Sequence, residues 1–195
     1  MNIVTRANYM KPLGTVALML GLAVASVNAQ QPVKMTFSGT SGASAINLQQ
    51  PGTTTGEDNF AGSGALGQFT FRNVTSETIS PQTPPSTCSG TNNLYFLRVT
   101  GAGVLRFHDG SLLKVTMTEG ADCVDLAAGE AHCTLALQIT GGTGRFTNAS
   151  GVLTMTETIS PVLGDAFGNP VLFAGTGELT GTILGVGGQG NEDSQ

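Results

Sequence analysis

Apolar side chains fall on alternate residues through most of the chain beyond residue 30, and a period of two fits β-strands and little else. Val33, Met35 and Phe37 alternate with Lys34, Thr36 and Ser38, and Leu113, Val115 and Met117 alternate with Lys114, Thr116 and Thr118. Cys133, Leu135, Leu137 and Ile139 repeat the pattern, Leu153 and Met155 continue it, and Val171, Phe173, Leu179 and Ile183 supply the last one or two strands. Each segment therefore turns one apolar face toward a shared interior. Leu94–Val99 is apolar on both faces, which predicts a strand covered on both sides.

The connections read as hairpins. Asp109-Gly110 and Ala128-Gly129 each separate two apolar segments, and such glycines supply the positive φ of a tight turn. Gly141-Gly142-Thr143-Gly144 marks a further reversal. Eight or nine strands at hairpin spacing, with no crossover helices, predict one all-β antiparallel barrel or sandwich over residues 30–184. Two stretches are expected to be irregular: Ala43 to Ala65, rich in Gly, Thr and Gln, and Pro81 to Asn93, which carries three prolines and Cys88. Residues 185–195 hold too little apolar surface to offset their ordering entropy and are expected to be disordered.

Residues 1–29 have a different grammar. Arg6 and Lys11 precede an apolar run from Leu13 to Ala25, and Val27 and Ala29 place short side chains three and one positions before Gln30. This is the pattern of a cleavable export signal, with the cut between Ala29 and Gln30. The run is too short to cross a hydrocarbon layer, which needs about 20 helical residues. The mature part is thus expected to carry no membrane span and to be periplasmic or secreted.

Cleavage would remove two of eight basic residues and none of thirteen acidic ones, leaving a formal charge of -7 on 166 residues. The remaining Lys34, Arg72, Arg98, Arg106, Lys114 and Arg145 are scattered singly, which argues against nucleic acid or an anionic membrane as partner. Three cysteines, Cys88, Cys123 and Cys133, would meet an oxidising compartment, so one disulfide and one free thiol are expected, with the pairing open. His132 adjoins Cys133, yet no C-x-x-C pair is present and adjacent strand residues face opposite ways, so neither a metal site nor a Cys-His nucleophile is expected.

Other motifs dissolve in context. Gly62-Ser63-Gly64-Ala65-Leu66-Gly67 spells a dinucleotide fingerprint, but a strand follows where a helix is required, so a turn is expected. Gly141 to Gly144 lacks the Lys-Ser or Lys-Thr of a phosphate loop and also reads as a turn. No cofactor is implied. Asn73-Val74-Thr75 and Asn148-Ala149-Ser150 match the glycosylation sequon.

Two carboxylates stand out. Ser76-Glu77-Thr78-Ile79-Ser80-Pro81 recurs as Thr156-Glu157-Thr158-Ile159-Ser160-Pro161, each copy expected to end a strand at its proline. Glu77 shares parity with Phe69 and Phe71, and Glu157 with Leu153 and Met155, so unbroken strands would turn both inward. A desolvated Glu can serve as acid or base. Proximity to a strand end, and the chance of a bulge, favour the plainer reading of both as solvated carboxylates.

The stretch Gly141-Gly142-Thr143-Gly144-Arg145-Phe146-Thr147-Asn148-Ala149-Ser150-Gly151 resembles the GGTG-[RK]-[FY]-x-x-A-x-G hairpin of allene oxide cyclase-like and dirigent-like barrels. Gly64 to Phe71, Cys88, Cys123 to Leu126 and Gly175 to Ile183 extend the likeness toward an exported, largely bacterial branch of that group. The resemblance implies an eight-stranded barrel with a central cavity, and a Cys88–Cys123 bridge in preference to Cys123–Cys133. Those families steer hydrophobic reactive intermediates inside the barrel. Three readings follow: a barrel holding a small apolar ligand without turnover, a dirigent- or cyclase-like enzyme using Glu77 or Glu157, and an envelope-associated structural protein with a filled barrel.

Overall fold

The alternation is realised as eight long strands: β1 (Gln31–Ala43), β2 (Thr53–Gly64), β3 (Phe69–Thr78), β4 (Asn93–Phe107), β5 (Leu112–Asp125), β6 (Glu130–Gly142), β7 (Ser150–Gly164) and β8 (Pro170–Leu184). The computed structural model describes residues 30–187, so the export signal and its Ala29–Gln30 cut lie outside, or at the edge of, the described residues. Each strand pairs antiparallel with the next, and β1 closes on β8 over Gln31–Gly42, giving a closed barrel. Closure removes the exposed edges at which sheets otherwise aggregate.

Inward positions of one half form the apolar core. Met35, Phe71, Leu105, Leu113, Leu135, Leu137, Leu153, Met155, Leu179 and Ile183 are all essentially inaccessible to solvent, and each large apolar side chain so buried is worth about 1.5–3 kcal/mol. The end of this half is sealed by residues 143–149. Gly141 and Gly144 take positive φ (110° and 58°), and a short 3-10 turn, Gly144–Phe146, drops the fully buried Phe146 into the opening. Arg145 lies over the Phe107 and Phe146 rings (4.9 and 4.6 Å to the centroids) with Nε 3.0 Å from Asp109 Oδ2. The Gly141–Gly144 turn thus serves as part of a plug.

Several expectations need correction. β2 occupies much of the Ala43–Ala65 segment read as irregular. Its inward residues include three glycines, Asp58 and Phe60, so little apolar alternation betrays it; a Cβ on Gly62 would meet the Phe69 ring at 2.8 Å. Leu94–Val99 is covered on one face only: Leu97 and Val99 are exposed outside, while Tyr95 is bridged by Gln82 of the 79–92 loop. That loop is pinned by a disulfide between Cys88 and Cys123, leaving Cys133 free and buried. β7 runs through Pro161 to Gly164, with the register shifting there, because a bulge tolerates a residue lacking an N–H. β3 ends at Thr78, before Pro81. The tail expected to be disordered begins in order: Val186 packs on the core and Gly187 N donates to Arg145 O at 2.7 Å; residues 188–195 lie outside the described residues.

Candidate functional site

At the other end the strands do not fill the barrel. A cup of about 580 Å³ opens between the 44–52, 79–92, 126–129 and 165–169 connections. Its walls are Leu94, Phe96, Val124, Ala131, Ile159, Val171 and Phe173, and its lower lining includes Ser41, Asp58, Glu77, Arg98 and Asp122. The volume falls in the range of small-molecule sites, as does the mixture of apolar walls with a few convergent polar groups.

Two facing bulges create this floor. Counting by two from Leu105 and Phe107 would send Arg98 outward, and counting from Leu113 and Met117 would send Asp122 outward. Instead β4 holds one extra residue against β3 between the pairs Ser76↔Thr100 and Glu77↔Arg98. β5 holds one extra against β6 between Met117 and Glu119. Each insertion reverses the faces beyond it. Gly120 makes the second possible, since a Cβ there would meet Leu135 Cδ2, Met117 Sδ and the Arg98 Cβ at 2.7–2.9 Å.

Arg98 and Asp122 then form a buried bidentate pair, Nε to Oδ2 at 2.7 Å and Nη2 to Oδ1 at 3.1 Å, with Arg98 Nη1 donating to Thr75 Oγ1 at 2.6 Å. Asn73 Nδ2 donates to Asp58 Oδ2 at 3.0 Å. Burial raises the Asp58 carboxyl above its ordinary value. Burial, reinforced by the Asp122 charge, lifts Glu77 to about 7. Burial, reinforced by Asp58, lifts Glu157 to about 8. Near neutral pH the floor therefore holds protons on carboxyl groups.

Both sequence candidates reach the interior, and the reading of them as solvated carboxylates is corrected: Glu157 is 4 % exposed, and Glu77 lines the cup. They come from β3 and β7, on opposite sides of the barrel. The Glu157 carboxyl lies against Gly175, where any Cβ would collide with its Oε1. Cys133 also faces in, and burial pushes its thiol up, so it stays protonated. His132 faces outward, with Nδ1 3.1 Å from Thr158 Oγ1, apart from Cys133. Asn73 is wholly buried, which keeps an oligosaccharide off the folded chain at that sequon, whereas Asn148 is exposed.

Sequence reasoning missed Ser41, Asp58, Arg98 and Asp122. The available signal was glycine inside strand pattern, at Gly101 and Gly120, which marks a bulge or a close approach. No protein-family model, curated protein or solved structure matches the chain.

Proposed function

We propose that the protein holds a small ligand with an apolar body in the open half of the barrel. The observation that carries this is the cup itself: an apolar-walled cavity of about 580 Å³ whose lining includes the buried and unpartnered Ser41 Oγ. An eight-stranded barrel is the size at which one small molecule fits inside. The same proposal puts the protein outside the cytoplasm, a reading supported by the disulfide and by the export pattern of residues 1–29. Kinship with the allene oxide cyclase-like and dirigent-like barrels is part of the same proposal. It is supported by the closed eight-stranded topology and by the GGTG hairpin.

The test is titration with the neutral dye Nile red. Its emission should shift to the blue on binding, and Ala131→Trp, which grows a ring into the cup from a position 7 % exposed, should abolish the shift while the melting temperature changes little. Absence of any dye or apolar-compound binding would favour the purely structural reading instead.

A second reading is favoured by the lifted carboxyls. Glu77 and Glu157, at about 7 and about 8, are poised for proton transfer near neutral pH, as a dirigent- or cyclase-like enzyme would need. It requires Glu77→Gln or Glu157→Gln to retain ligand and lose product formation; unchanged turnover in both would remove it.

A further inference from the structure

Once its carboxyl groups ionise, the cup floor has more acceptors than free donors, and that imbalance selects a head group. Asp58, Glu77, Asp122 and Glu157, on β2, β3, β5 and β7, surround a single guanidinium, Arg98 on β4. Arg98 is already engaged by both oxygens of Asp122 and by Thr75. An anionic ligand would compete with Asp122 for it and meet three further carboxyl groups. Independently of the charges, four buried side-chain oxygens among the described residues lack partners, on Ser41, Asn73, Ser76 and Glu157. Ser41 Oγ lines the cup on a residue 9 % exposed, and Glu157 Oε1 lies on the inner face over Gly175. A buried acceptor without a donor is costly, and a ligand bringing N–H groups removes that cost.

We infer that the ligand is an amphipathic organic cation, a primary amine on an apolar body, whose ammonium enters beside Ser41, Asp58 and Glu77 while its body lies on Phe96, Ile159 and Phe173. This rests on the ligand-holding reading above and specifies its head group. Three N–H donors of an ammonium match acceptors on β1, β2 and β3, and neighbouring carboxylates stabilise the charge in a medium less polar than water.

Binding should expel protons. The groups facing Glu157 and Glu77 are Asp58 on β2, Arg98 on β4, Asp122 on β5 and the neutral Cys133 thiol on β6; β1 and β8 contribute Ser41 and Gly175. A cation favours the ionised carboxylates, so affinity rises from about pH 6 to about pH 9, below the pH at which an alkylamine itself loses charge.

Calorimetric titration of the protein with decylamine, decanol and decanoate, each below its micelle-forming concentration and in two buffers of different ionisation heat, tests this. Decylamine should bind about tenfold or more tighter than decanol at pH 8, with proton release. Glu77→Gln should bring the decylamine-to-decanol affinity ratio close to one and reduce the proton release, and Asp58→Asn provides the same comparison should the first variant fold poorly. Equal affinities, or a preference for decanoate, would overturn the head-group inference and leave the ligand-holding reading standing. Failure of all three compounds to bind would overturn both.

Discussion

The two halves of the barrel share the same eight strands and differ in what those strands turn inward. In the sealed half the inward residues are almost wholly apolar, with a single register shift near Lys114 and Val115, and short connections at 65–68 and 108–111 close it around Phe146. In the open half the register shifts in β4 and β5 reverse the faces of their ends, and an arginine with four carboxyl groups occupies the interior below longer connections. One half therefore obeys volume and the other charge. The difference teaches where stability ends and function begins: the sealed half holds the strands in register so that the open half can keep polar groups away from water.

The comparison breaks most severely if the charge pair is halved. Arg98→Ala leaves Asp122 buried without its partner and should destabilise the fold by about 3–5 kcal/mol in denaturant melts, whereas replacing both residues by apolar ones of similar volume should recover much of the loss. Leu135→Ala, fully buried in the sealed half, should cost about 2–5 kcal/mol through lost burial and a cavity. An equal loss from Phe96→Ala, on the half-exposed cup wall, would mean that the cup is packed like the core; about 1 kcal/mol is expected there instead.

Proton linkage sharpens the contrast further. Glu77 and Glu157 have folded values of about 7 and about 8, above the ordinary 4.5. Their contribution is fully present below about pH 4.5 and is lost as pH rises through the folded values, because the unfolded chain sheds these protons first. Glu57, Asp109 and Asp165, held low chiefly by hydrogen bonds from Arg72, from the Ser111 backbone and from Asn169, act in the opposite sense only in more acidic solution. Melting temperature should therefore decline from pH 5 to pH 8, by an amount on the order of a few kcal/mol in stability. Glu157→Gln should flatten that decline, with equal melts at pH 5 and a higher one at pH 8. A slope unchanged by the substitution would show that the group is not proton-linked. The smallest effect belongs to the rim: Phe167, 90 % exposed on the 165–169 connection, should tolerate Ser within about 0.5 kcal/mol.

Legibility in the sequence followed the same division. Val33–Phe37, Leu113–Met117 and Cys133–Ile139 were readable as strands because their inward positions are apolar, and the turns at Gly110 and Gly129 take positive φ as expected, 80° and 71°. β2 was not readable, since Asp58 and three glycines stand where apolar residues would mark a face. At the site, Glu77 and Glu157 were found by parity. Arg98 and Asp122 were missed because parity is reversed on their side of the bulges.

The sequence by itself determined an all-β chain with one dry face per strand, since alternation is local and each residue's face follows from its neighbour's. Only the tertiary structure decided which half would be filled and which left open. A single inserted residue costs nothing visible in composition, yet it reverses every side chain beyond it, and its position shows only when the strand lies against a partner.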